Sequence, residues 1–117
     1  MLNDLNASRY PHIYIRVGNT DLRKGIDGLA ALITSGFKLD PFDGSLFLFC
    51  GRRTDRMKAL CYEGDGFVLL YKRLACGHFR WPRNEDELKS ITAEQYNALM
   101  KGWEIDPGIK RFRPTTV

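Results

Sequence analysis

Hydrophobic and polar positions along this chain switch between strand-like and helix-like spacing, and the switches mark its elements. Ile13, Tyr14, Ile15, Arg16 and Val17 are mostly β-branched or aromatic, and Gly18 closes the run, which predicts a strand. After Asn19 and Thr20, both helix-capping types, Leu22, Ile26, Leu29 and Ile33 recur at helical spacing. A helix is predicted from Asp21 to Ser35, with Asp21 at its electropositive start and Gly36 past its end. Gly25 and Gly28 each weaken such a helix by about 1 kcal/mol relative to alanine, so a close neighbour is expected against that face. Asp40 to Gly44 has turn composition. Leu46 to Cys50 is apolar at every position, which predicts a strand covered on both faces.

Lys58–Glu63 and Phe67–Leu74 read as two strands joined by Gly64-Asp65-Gly66, a short hairpin signal. On the second strand Phe67, Leu69, Tyr71 and Arg73 share one face, and Val68, Leu70, Lys72 and Leu74 the other. His78 to Trp81 alternates as a last strand, which Pro82 stops. Leu46 to Trp81 is thus expected to form a four-strand antiparallel meander. Asn84 with Glu87, and Thr92 with Gln95, repeat the capping-box spacing. Behind the second, Tyr96, Leu99, Met100 and Trp103 lie on one helix face, which is expected to pack on the core. The predicted fold class is α+β. An antiparallel sheet of about five strands, the meander plus the N-terminal strand, packs with one longer helix and two short C-terminal helices. The expected division is a flexible segment 1–12, a single domain 13–106 and a mobile basic tail 107–117.

A length of 117 residues suits one domain with an ordinary core. No apolar run approaches the ~20 residues needed to span a bilayer, so no membrane partner is expected. Met1-Leu2-Asn3-Asp4 lacks the layout of a secretory signal, and a cytoplasmic location is expected. Cys50, Cys61 and Cys76 are odd in number and widely spaced, which argues against a disulfide framework. With no Cys-x-x-Cys pair, they are expected to behave as small hydrophobes, and neither metal nor cofactor is expected. His12 and His78 stand in no nucleophile motif. Asp21 and Asp65 have structural uses at a helix start and a turn, so no catalytic residue is assigned and the chain is expected not to be an enzyme.

Charge changes the picture more. The net charge is +4, but it is uneven. Residues 1–51 balance, 52–83 carry eight basic side chains against three acidic, 84–106 carry two against six, and the tail adds three basic. Arg52, Arg53, Arg56 and Lys58 gather at the end of the predicted hairpin, where they could straddle phosphates. Lys72 and Arg73 follow beside Tyr71, and Arg80 beside Trp81, a mixture that can stack bases and pair phosphates. The competing reading is a solvated face whose aromatics pack on the helices.

Ordered blocks carry a resemblance. They are Thr20 to Leu29, Leu46 to Arg53, Asp55 to Lys58, Glu63 to Phe67, Leu70 to Leu74 and Phe79 to Pro82. From about Tyr14 to Trp103 the chain resembles the TnpB accessory proteins, products of the second open reading frame of insertion sequence 66 (IS66) elements. The resemblance implies a helper in transposition that accompanies a separate, larger transposase, and it carries no catalytic residues across. Nucleic-acid contacts are expected from the charged positions within the matched blocks: Arg23, Lys24, Arg52, Arg53, Arg56, Lys58, Lys72 and Arg73. Three readings are open at this point. The first is an accessory factor that contacts DNA through the Arg52–Lys58 segment. The second is an interaction module that binds the transposase without touching DNA. The third, a nuclease, requires carboxylates converging on a metal ion.

Overall fold

The computed structural model describes residues 1–107 and the backbone of residues 111–113. Its centre is a five-stranded sheet. Strand β1 (Ile13–Val17) leads through helix α1 (Ile26–Ala31) to β2 (Leu46–Cys50); β3 (Arg56–Tyr62) and β4 (Phe67–Arg73) follow as a hairpin. Strand β5 (Glu87–Ile91), helix α2 (Ala93–Met100) and the short strands β6 (Glu104–Asp106) and β7 (Arg111–Arg113) complete the order. The sheet runs β4-β3-β2-β1-β5, and β6 pairs with β7 separately.

Two layers cover this sheet, which makes β2 apolar on both faces: none of its five residues exceeds 2% exposure. Phe47 and Phe49 join Leu60, with Leu29 from α1 and Ile33 beyond it. Leu46, Leu48 and Cys50 join Ile15, Met57 and Ala59 beneath Tyr96 and Leu99 of α2, together with Phe79 and Trp81. Residues 1–12 reach this second layer. Leu2 and Ala7 are buried in it, and the Tyr96 hydroxyl donates to the Leu2 carbonyl oxygen at 2.6 Å.

The α+β class and the strand count follow the sequence pattern, but the sheet is mixed rather than purely antiparallel. β1 pairs parallel with β2, in the register Ile13 to Leu46 and Ile15 to Leu48. Parallel neighbours need a crossover, and α1 supplies it. The meander has three strands, not four. Residues 78–81 run without sheet pairing, yet Phe79 and Trp81 are still buried, and the Trp81 indole N–H donates to the Arg16 carbonyl oxygen at 2.8 Å. Residues 87–91, expected as a helix, form β5 antiparallel to β1, so α2 is the single C-terminal helix among the described residues.

Three smaller differences concern α1 and β3. The helix starts at Ile26 rather than Asp21, and it ends in a wider π-helical turn, Leu32–Gly36. Gly25 is its cap in extended backbone, with nothing within 4 Å of a Cβ placed there, and Gly28 would meet only the flexible Lys24 side chain. No close neighbour therefore explains either glycine. β3 begins two residues earlier than predicted, which places Arg56 on the sheet. The second capping box forms as read: Thr92 Oγ1 accepts from the Gln95 backbone N–H, and Gln95 Oε1 from the Thr92 N–H. Of the expected tail, residues 108–110 and 114–117 lie outside the described residues.

Tyr96→Phe removes the hydrogen bond that ties the Leu2 backbone to the α2 layer. A loss of about 1–2 kcal/mol is expected from a urea melt, with the unfolding slope unchanged, since a buried carbonyl loses its partner.

Candidate nucleic-acid interface

On the α1 side of the sheet, cross-strand pairs change character along the β3–β4 hairpin. Tyr62 stands opposite Phe67 and Leu60 opposite Leu69; then come Lys58 opposite Tyr71 and Arg56 opposite Arg73. Leu60, Leu69 and Phe67 belong to the apolar cluster beneath α1. Beyond them the sheet face opens as a cleft of about 820 Å³. Leu22, Leu69 and Tyr71 give it apolar lining, and Arg23, Arg52, Arg53, Arg56 and Lys58 make it cationic.

Local geometry explains why the cations meet. The backbone N–H of Thr20 donates to the Cys50 carbonyl oxygen at 2.9 Å, so the turn after β1 lies against the end of β2. A Cβ on Gly51 would stand 3.3 Å from the Leu22 side chain, so glycine permits this approach. Arg83 fastens the loop from behind: its Nη2 donates to the Gly51 carbonyl oxygen at 2.6 Å. Lys58 Nζ donates to the Lys24 carbonyl oxygen at 3.0 Å and stands 5.8 Å from the centroid of the Tyr71 ring.

Acidic partners neutralise part of the group. Asp21 receives Arg23 through Nη2 at 2.8 Å and through the Arg23 backbone N–H at 3.0 Å. These bonds, the guanidinium's first, hold the Asp21 carboxyl down at about 2. Asp55 receives Arg56 Nε at 2.9 Å, and this contact likewise lowers the Asp55 pKa. Arg52 and Arg53 are exposed, and neither has an ion pair among the described residues. Two carboxylates of the acidic segment are engaged elsewhere, Asp86 with Arg16 at 2.8 Å and Glu85 with Lys89 at 2.9 Å. No three His, Cys, Asp or Glu gather as a possible metal site among the described residues. No helix there is long and apolar enough to cross a membrane.

Comparison with known proteins fits this chain to one family. The family described as "IS66 Orf2 like protein" matches residues 11–108. The chain belongs to this family. Its members are accessory proteins associated with insertion sequences. Two relatives come from Sinorhizobium fredii (strain NBRC 101917 / NGR234). "Uncharacterized protein y4hO" is 36% identical over 97% of this chain and 98% of its own length, and "Uncharacterized protein y4jC" is 32% identical over 84% of each. No solved structure matches.

In this IS66 Orf2-like protein, five of the eight candidate contact residues line the one cleft: Arg23, Arg52, Arg53, Arg56 and Lys58. Arg73 is exposed at the neighbouring position, opposite Arg56. Lys24 is exposed beside the cleft and offers Lys58 its carbonyl. Lys72 lies on the other face of β4, where its Nζ donates to Asn3 Oδ1 at 2.6 Å. The sequence reading missed Leu22 and Leu69 as cleft residues and Arg83 as the anchor of the loop. Leu22 and Leu69 look like ordinary core positions. Arg83 lies 31 residues from Arg52 in a basic block, with no local sign of its partner.

NMR titration of the Asp21 carboxyl should give a midpoint of about 2, and Arg23→Ala should return it toward the ordinary 3.8. Because the folded value is depressed, this pair's contribution to stability is complete above 3.8 and fades as pH falls toward 2. A wild-type midpoint near 4 would show that the pair does not form in solution.

Proposed function

We propose that this protein serves transposition of its element as a non-catalytic accessory factor that contacts nucleic acid through the cationic cleft. One observation carries the reading: Arg52 and Arg53 stand in solvent without ion pairs among the described residues, beside Arg23, Arg56 and Lys58 in the same concave surface. Exposed cations held together gain most from a polyanion, because each phosphate they neutralise releases condensed counterions. Arg83 supports the reading by fixing the loop backbone, which limits the ordering that binding requires. The partner in the cell is the transposase acting at the element's DNA ends.

A second reading has its own support. Phe42, 58% exposed, makes ring contacts at 5.0 Å with Tyr62 and 5.1 Å with Phe67, beside the turn that joins β3 and β4. Exposed aromatic groups of this kind anchor protein interfaces, and here the partner would be the transposase. A gel shift with element-end DNA separates the two readings. Binding by this protein alone supports direct contact, whereas a shift that requires the transposase supports docking.

Direct contact predicts that the logarithm of affinity falls linearly with the logarithm of salt. Replacing Arg52 and Arg53 with alanine should make that slope shallower by about two on a duplex, since two phosphates are then left without their guanidinium partners. An unchanged slope would remove the loop from the interface.

A further inference from the structure

Within the nucleic-acid reading above, on which this inference rests, we propose that the cleft binds an unpaired nucleotide, with its base stacked on Tyr71 and its phosphate held by the arginine rim. The duplex is then the weaker ligand, and single-stranded nucleic acid the preferred one.

Tyr71 is one of three large hydrophobic residues left exposed among the described residues, at 53%, and it lies inside the cationic cleft. Its neighbours make an exposed ring useful. Lys58, its cross-strand partner on β3, places an ammonium over one face of the ring at 5.8 Å, and Arg56 contacts its hydroxyl, which leaves the ring's other face for a base. β4 is the edge of the sheet, so no strand stands on the ring's other side. A duplex keeps its base faces stacked inside and offers a protein its phosphates and groove edges. Against such a ligand the ring has no face to meet. An unpaired base presents its π-face, and stacking on an aromatic side chain tolerates any sequence.

Size and polarity agree with this. A cleft of about 820 Å³ has room for a nucleotide. Leu22 and Leu69 extend the apolar lining next to Tyr71, as a base requires. Arg52 and Arg53, exposed and outside any ion pair among the described residues, supply fork-shaped donors suited to phosphate oxygens. Arg56 is already engaged by Asp55, so it serves as wall rather than as a free donor.

The test is fluorescence anisotropy with the full chain at one salt concentration. The probes are a labelled mixed-sequence DNA strand of about 20 nucleotides, its RNA counterpart and the matching DNA duplex, long enough for a site of single-strand-binding size. The single strand should bind at least about tenfold more tightly than the duplex, and the DNA and RNA arms tell which sugar is preferred. Tyr71→Ala should weaken single-strand binding roughly tenfold and leave duplex binding within about twofold. Tyr71→Phe, which keeps the ring, should retain the single-strand affinity and melt as the parent does, and unchanged duplex binding by Tyr71→Ala shows that this variant is folded. Equal affinity for strand and duplex, or a Tyr71→Ala effect equal on both, would overturn the stacked nucleotide and leave the cationic contact standing. Failure of the parent protein to bind any of the three probes would overturn both.

Discussion

Burial of β2 on both faces is the constraint on which the rest of this structure depends. A strand with no polar position has no face to give to water, so it must have neighbours on both sides and cover above and below. β1 and β3 supply the first, and the α1 and α2 layers the second. Each of its large side chains contributes on the order of 1.5–3 kcal/mol by leaving water. A strand held so firmly also fixes where it ends. Cys50 and Gly51 are buried, and Arg52 and Arg53 are in solvent immediately afterwards. The cationic loop is the first stretch of chain that this central strand releases.

The cleft exists because the upper layer is shorter than the sheet. α1 and the turn after it cover Leu60 and Leu69, but the hairpin runs on for two more cross-strand pairs on the same face. Those pairs contain lysine, tyrosine and two arginines, and the sequence changes polarity where the cover stops. Arg56 opposite Arg73 is an unfavourable like-charge pair in isolation. Asp55 offsets it by holding Arg56, while Arg73 stays exposed. On the hairpin the change from apolar core to cationic surface thus follows from strand register, and the loops after β1 and β2 supply the remaining cations of the cleft.

What could be read from the sequence was what local physics decides. Uniform apolarity marked β2 as covered on both faces, Gly64-Asp65-Gly66 marked the hairpin, and Thr92 with Gln95 marked the start of α2. The misreadings have a common origin. Leu88 and Ile91, three apart after a capping-box pattern, resemble one helix face, yet in β5 they lie on opposite faces and enter different clusters. The open edge of β1 decides their conformation, and no local window contains it. Phe79 and Trp81 alternate as a strand does and are buried, but that stretch crosses the lower layer instead of pairing. For the site, basic residue types and their clustering were visible, whereas the cleft's apolar lining and the Arg83 anchor required the fold.

Distribution of the acidic residues gives the surface its character. Carboxylates stand beside the cations that the fold partly removes from water. Asp86 meets Arg16, whose side chain is 13% exposed, and Glu85 meets Lys89 at 25%. A cation with reduced hydration needs a counter-charge far more than one in bulk water does. Arg52 and Arg53 need none, and among the described residues they form no ion pair, with Asp55 acting on Arg53 only at longer range. The acidic block after the basic one therefore does not cancel it. Two of its carboxylates, Glu85 and Asp86, are taken up by part-buried cations away from the cleft, so a modest net charge of +4 coexists with a cleft whose cations are only partly compensated. Two pairs depart from this, the exposed N-terminal ammonium with Asp4 and Arg23 with Asp21, and the second lies on the cleft itself. That carboxylate lowers the field at its own side of the cleft and concentrates the available positive charge on Arg52 and Arg53.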